Sequence, residues 1–221
     1  MAEAIDPEDK VFTEPADVSD EKEVDRLIKL TVKEFGRVDY GVNFAGVGGK
    51  QGPIDGLTLD DYQFIERINA KAVWLCERAQ VSQMLTQSPL PSHDGRPGAK
   101  GSIINASSLC GVVGFPGSTI YCMSKHAVMG LVRADAVTWA AQGIRINGVC
   151  PGYFLLRTLQ PAHAVNAIDS SLTKVIGVSF IDTALLPSDD RPGLVRFVES
   201  TTPIGRFGSP EEVADVVAFL G

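Results

Sequence analysis

GSIINASSLCGVVGFPGSTIYCMSKHAV, residues 101–128, is the stretch on which the fold turns. Ser102 to Ser107 reads as a buried strand. The glycines of GVVGFPG then lead into a long helix spanning roughly 119–142, stopped by Gly143. Ile144 to Cys150 is the next strand, closed by Pro151-Gly152. Upstream, Val11 to Asp17 has the look of a short strand, followed by a helix capped at Ser19 or Asp20. The apolar positions of that helix, Val24, Leu27, Ile28, Val32 and Phe35, recur at spacings of three and four, and Gly36 stands where a left-handed cap belongs. Val38 to Asn43 is a further strand. Thr58, with Asp61 three residues on, opens a helix running to about Met84. Ser209-Pro210-Glu211-Glu212 is a last helix start. Strand alternating with helix predicts an α/β fold, a doubly wound parallel sheet covered by helices on both faces. Ligands of such sheets sit beyond the carboxyl ends of the strands, where Asn43 to Gly46, Ser107-Ser108 and Pro151-Gly152 fall.

The bulk composition narrows the function classes. The 221 residues suit one domain, and 44% hydrophobic with 21% charged residues is the balance of an ordinary soluble globular protein. A net charge of −7 without clustered Lys and Arg argues against nucleic acid as a partner. No apolar run approaches the roughly 18–20 residues of a membrane span. Cys76, Cys110, Cys122 and Cys150 lack CxxC spacing and are read as buried reduced thiols. His93, His126 and His163 lie far apart, so no metal site is expected. A cytoplasmic setting follows by default.

Tyr121 and Lys125 are four apart at the start of a helix, so both side chains project from one face. A free tyrosine is a poor acid or base at neutral pH, and a cation held nearby moves the phenol toward useful values. Such a pair also occurs by chance. Ser108, thirteen residues before Tyr121 and just past a strand, can present a hydroxyl to a ligand, or can be an ordinary turn serine. Asn69 lies inside a helix, where asparagine is a mediocre helix former.

The 101–128 string resembles the catalytic segment of the short-chain dehydrogenase/reductase family, with strand, serine and YxxxK helix in register. Five more segments agree in order: DVSDEKEV (17–24), FGRVDYGVNFAG (35–46), RINAKAVWL (67–75), RINGVCPG (145–152) and TPIGRFGSPEEVADVVAFL (202–220). The resemblance implies a Rossmann-like fold and an NADP- or NAD-dependent oxidoreductase interconverting a carbonyl and an alcohol. It makes Tyr121 the general acid/base and Lys125 the cation that lowers the Tyr121 pKa and bonds the nicotinamide ribose. Ser108 then polarises the substrate oxygen, and Asn69 holds a proton-relay water. On the cofactor side it implies Asp17 at the adenine, Asn43, Ala45 and Gly46 along the adenosine, and Pro151 and Gly152 beside the nicotinamide. The implied partner is a small molecule; a homo-oligomer is allowed, with the family's dimer elements expected to be partly missing.

Several positions depart from the family pattern. No G-x-x-x-G-x-G string occurs, and GVGGKQG at 46–52 follows the wrong strand and fits a turn better. The chain is therefore expected to lack the first βαβ glycine-loop unit and the last strand. Phe44 replaces the second Asn of NNAG, and Leu156 stands where a threonine is expected, with Thr158 a register shift away. Residues 153–202 would form a divergent substrate lid, whose Phe154, Leu155, Phe180, Leu185 and Leu186 point to an apolar ligand. Two alternatives remain beside the oxidoreductase: redox-neutral proton chemistry on the same tetrad, and a non-catalytic remnant acting as a subunit. With the first two family strands absent, Val11 to Ala16 is expected to pair directly with Val38 to Val42.

Overall fold

The computed structural model describes residues 11–91, 95, 98–152, 196, 206 and 208–221. Their elements are helix α1 (Glu21–Phe35), strand β1 (Tyr40–Asn43), helix α2 (Leu59–Glu66), a π turn (Arg67–Lys71), helix α3 (Ala72–Thr86), strand β2 (Gly101–Ala106), helix α4 (Thr119–Trp139), strand β3 (Ile144–Val149) and helix α5 (Pro210–Leu220). The three strands form one parallel sheet in the order β1-β2-β3.

Local chemistry sets the helix ends. Asp20 caps α1 by accepting from Lys22 N at 2.8 Å, and Gly36, at φ 85°, closes it. Thr58 and Asp61 exchange bonds across the start of α2, as Ser209 and Glu212 do at α5. Arg206 holds the Glu212 carboxyl in place with two contacts at 2.9 Å.

Period-two alternation sorts the strands between two layers. Ile103, Ile144 and Ile146 face Val73, Val81 and Met84 of α3 and Val128 and Val132 of α4. Ile104 and Val149 face the other way, onto Val213, Val216, Val217 and Leu220 of α5. Helices thus cover both faces, and β2 is buried along its whole length. Helix α1 packs outside α3 through Val24, Leu75 and Ala79. Among the described residues no helix is long and apolar enough to cross a membrane. The Rossmann-like parallel α/β fold is the one the sequence pattern predicts.

Two local expectations need correction. Val11 to Asp17 forms no strand and does not pair with β1, whose hydrogen-bonded neighbour is β2. Pro15 removes a donor that a ladder would need. The segment is instead tied to α1, where Arg26 pairs with Glu14 and donates to Pro15 O at 2.9 Å. The helix opened by Thr58 is likewise not uniform. At the π turn the Ala72 N–H reaches back to Arg67 O, one residue further than an α ladder allows. Of the four free cysteines, only Cys150 is fully buried. His93, His163, Leu156, Thr158 and the 153–186 lid residues lie outside the described residues.

Candidate active site

Three chain segments converge at the carboxyl ends of the strands. The first follows β2: Ser108 sits between Ala106 and a tight 3-10 turn, Leu109–Gly111, with its Oγ accepting from Cys110 N at 3.1 Å. That turn presses directly on α4. A Cβ on Gly111 would stand 2.2 Å from Ser107 Oγ and 2.6 Å from Lys125 O, so only glycine fits there. Ser107 Oγ in turn donates to Lys125 O at 2.8 Å. The Ser108 loop and the Lys125 turn are therefore locked together.

The second segment is the first two turns of α4. Tyr121 and Lys125 share a face, as their spacing requires. Lys125 is 5% exposed and donates to Ala106 O at 3.0 Å, its Nζ 5.8 Å from the Tyr121 ring centroid. Burial pushes its ammonium down to about 8. Burial also raises the Tyr121 phenol, while a hydrogen bond with the Ser108 side chain acts to lower it. This differs from the lowered Tyr121 pKa that the resemblance implies. In the chain alone the ammonium donates to a backbone carbonyl and stands over the ring rather than against the phenol oxygen, so desolvation decides the direction. The phenol is protonated at neutral pH, the form that donates.

The third segment comes from the π turn. Asn69 is 0% exposed, and it clamps the loop after β1 by donating to Val47 O at 2.8 Å and accepting from Val47 N at 2.8 Å. It also donates to Ser124 Oγ at 3.2 Å, and Ser124 donates to Tyr121 O at 2.8 Å. A Cβ on Gly46 would come within 3.3 Å of Asn69 Oδ1 and 3.5 Å of Lys125 Nζ, so this loop lies against both residues. Asn69→Ala leaves the Val47 amide group and Ser124 without these partners. We expect a loss of about 2–4 kcal/mol in unfolding free energy, read by denaturant titration; a loss under about 0.5 kcal/mol would mean the loop is held by other contacts.

The remaining predicted positions divide. Pro151 O accepts from Leu109 N at 2.8 Å, and Gly152 packs on the Leu109 side chain, so both adjoin the Ser108 loop. Ala45 is exposed beside Gly46. Asn43 is turned inward and fully engaged: it exchanges bonds with Gln80 at 3.0 and 2.8 Å and donates to Asn105 Oδ1 at 2.8 Å. Asp17 stands apart, accepting from Ser19 N at 2.9 Å and Ser19 Oγ at 2.7 Å, bonds that hold its carboxyl below the usual range.

Ser124, Gln80, Asn105 and Glu77 were not singled out by sequence, and Ser107 was placed beside Ser108 without a role of its own. One signal was available: Glu77 falls on the apolar stripe of Val73 and Val81, at spacings of four. Among the described residues no group of three His, Cys, Asp or Glu is placed to hold a metal ion.

Residues 1–176 match the family model described as enoyl-(acyl carrier protein) reductase. The short-chain dehydrogenase srdC of Neurospora crassa is 32% identical over 210 residues, covering 92% of this chain and 67% of that protein. Levodione reductase of Leifsonia aquatica is 30% identical over 214 residues, 97% of this chain and 68% of its own length. The crystal structure of levodione reductase superposes with a TM-score of 0.76 at 29% identity, covering 97% of this chain and 71% of that one. ElxO with NADP bound gives 0.70 at 29% identity, covering 92% and 68%. The chain belongs to the short-chain dehydrogenase/reductase family, a family of oxidoreductase enzymes, and spans about two thirds of the length of these relatives.

Proposed function

We propose that this chain is an oxidoreductase using NADP or NAD to interconvert a carbonyl and an alcohol on a small, apolar molecule, with Tyr121, Lys125, Ser108 and Asn69 as its working residues. The proposal rests on one observation: the Tyr121 phenol, the Ser108 hydroxyl and the buried Lys125 ammonium meet at the carboxyl ends of the strands. The residues present fit the nicotinamide half of a dinucleotide. Lys125 spends one N–H on Ala106 O and faces the Gly46 loop, which suits a ribose hydroxyl, and Pro151 and Gly152 flank the space beside Leu109.

When bound, the nicotinamide supplies or accepts the hydride. Tyr121 gives its phenol proton to the substrate oxygen as the carbonyl carbon is reduced, and takes it back in the oxidative direction. Ser108 donates to the same oxygen and holds it near the phenol. The Lys125 cation stabilises the phenolate left behind. Asn69 holds the Val47 loop beneath Lys125 and, with Ser124, ties it to the backbone of Tyr121. The reduced cysteines Cys76, Cys110, Cys122 and Cys150 accord with a cytoplasmic setting.

The test is a panel of small ketones and cyclic diones offered with NADPH or NADH, following loss of the reduced nicotinamide absorbance. Turnover that depends on Ser108 is expected. A Tyr121-dependent isomerisation without nicotinamide oxidation would replace the oxidoreductase with redox-neutral proton chemistry.

A further inference from the structure

We propose that Glu77 of α3 stands in the fold as a neutral carboxylic acid, sharing its proton with Asp135 of α4, and that through Asn105 it positions Asn43 at the carboxyl end of β1. Glu77 is 1% exposed, and Asn105, on the facing strand β2, is 0% exposed. Asn105 Nδ2 donates to Glu77 Oε2, and Asn105 Oδ1 accepts from Asn43 Nδ2 at 2.8 Å. Glu77 Oε1 is buried without a donor facing it. The Asp135 carboxyl is in hydrogen-bonding reach of Glu77, and is itself an acceptor when ionised. Two carboxylates there would repel each other and leave the buried oxygen unsatisfied. One proton between them removes both problems, because an acid donates where a carboxylate cannot.

Depth decides which partner keeps that proton. Glu77 is almost wholly buried, so its charged form is costly and it keeps the proton. Burial holds the Glu77 acid up to about 7, with the Asn105 amide opposing and the Asp135 carboxyl adding to it. Among the described residues no other charge acts on Glu77. β1 and β2 present Asn43 and Asn105, and α1 presents apolar Val24 and Ile28. Lys71 of the π turn donates to Ser19 O, and Arg78 pairs with Glu21.

The polarity of the chain follows from its first member. Glu77 accepts, so Asn105 turns its amide nitrogen to it and its oxygen to Asn43. Asn43 is thereby fixed two residues before Ala45 and three before Gly46. The link to the cofactor side rests on the proposed function; the protonation of Glu77 does not.

The sign of the pH effect is set by which state holds the proton. An unfolded glutamate loses it near 4.5, whereas the folded one keeps it to about 7. Stability therefore falls as pH rises through that window and levels off above it, by up to about tenfold in the unfolding constant per pH unit. Unfolding should be followed from about pH 5 to about pH 8 in wild type, Glu77→Gln, Glu77→Leu and Asp135→Asn. Glu77→Gln reproduces the neutral acid, accepting from Asn105 and donating to Asp135. It is expected to flatten the profile and to match or exceed wild type at the alkaline end. Glu77→Leu leaves Asn105 Nδ2 orphaned and is expected to be less stable throughout. Asp135→Asn removes the repulsion that raises the Glu77 acid and is expected to end the fall at lower pH; an unmoved profile would overturn the shared proton.

A flat wild-type profile, with Glu77→Gln less stable at the alkaline end, would mean an ionised Glu77 and overturn the proposal. NADPH titration of the same variants reads the positioning: affinity is expected to survive in Glu77→Gln and to drop several-fold in Glu77→Leu. Equal affinity in both would overturn that part. If wild type itself binds no NADPH, the proposed function fails, and the unfolding profiles still decide the state of Glu77.

Discussion

Tyr121→Phe is expected to reduce turnover by about 10²–10⁴-fold, the usual cost of a lost general acid, while leaving the fold intact. The ring stays and only the phenol oxygen goes, the group whose pKa the Ser108 side chain acts to lower. Tyr121 is half-buried, with the Lys125 ammonium 5.8 Å from its ring centroid, and Lys125 already donates to Ala106 O. The measurement is single-turnover reduction of whichever carbonyl the panel identifies. A variant that keeps more than about a tenth of the wild-type rate would exclude Tyr121 as the proton donor.

The second large effect concerns affinity. The 221-residue chain carries no G-x-x-x-G-x-G string, and its richest glycine run, Gly46 to Gly52, does not open a helix: a 3-10 turn, Ile54–Gly56, and the Thr58 cap separate it from α2. A pyrophosphate would therefore find no helix N-terminus with converging backbone N–H groups in that run. Losing two or three charge-assisted hydrogen bonds costs about 3–6 kcal/mol, or roughly 10²–10⁴ in affinity. NADPH fluorescence titration of this polypeptide is expected to give binding weaker than micromolar. Micromolar binding would require an anion site elsewhere in the chain.

Much of this was legible in the sequence, for physical reasons that differ by element. Caps were readable because a cap is local chemistry: Asp20, Thr58 and Ser209 each act within three residues of themselves. The buried strand Gly101–Ala106 and the Tyr121/Lys125 face were readable from period and spacing. Pairing of Val11 to Ala16 with β1 was not, since it depended on a competition between a sheet edge and the Arg26 side chain, and Pro15 weakened the first. The direction of the Tyr121 shift was hidden for a similar reason. Spacing places a lysine near a tyrosine, but only the packed structure shows that the ammonium goes to Ala106 O. The Glu77–Asn105–Asn43 chain joins residues 28 and 62 positions apart, and no local pattern announces such a link.

The π turn at Arg67–Lys71 carries a consequence for how this protein can change over time. Each residue of an α-helix advances about 100° around its axis. The turn holds one residue more than a regular ladder, so excising one residue there restores the ladder and leaves α2 and α3 in their present phase, with Ile65 and Glu77 still inside. One further residue inserted into the regular helix on either side rotates Ile65 about 100° against Glu77 and brings one of them to the surface. The turn is therefore one residue of slack between the Thr58 cap and Glu77: a single-codon deletion is absorbed there, whereas an insertion acts like a frameshift in three dimensions.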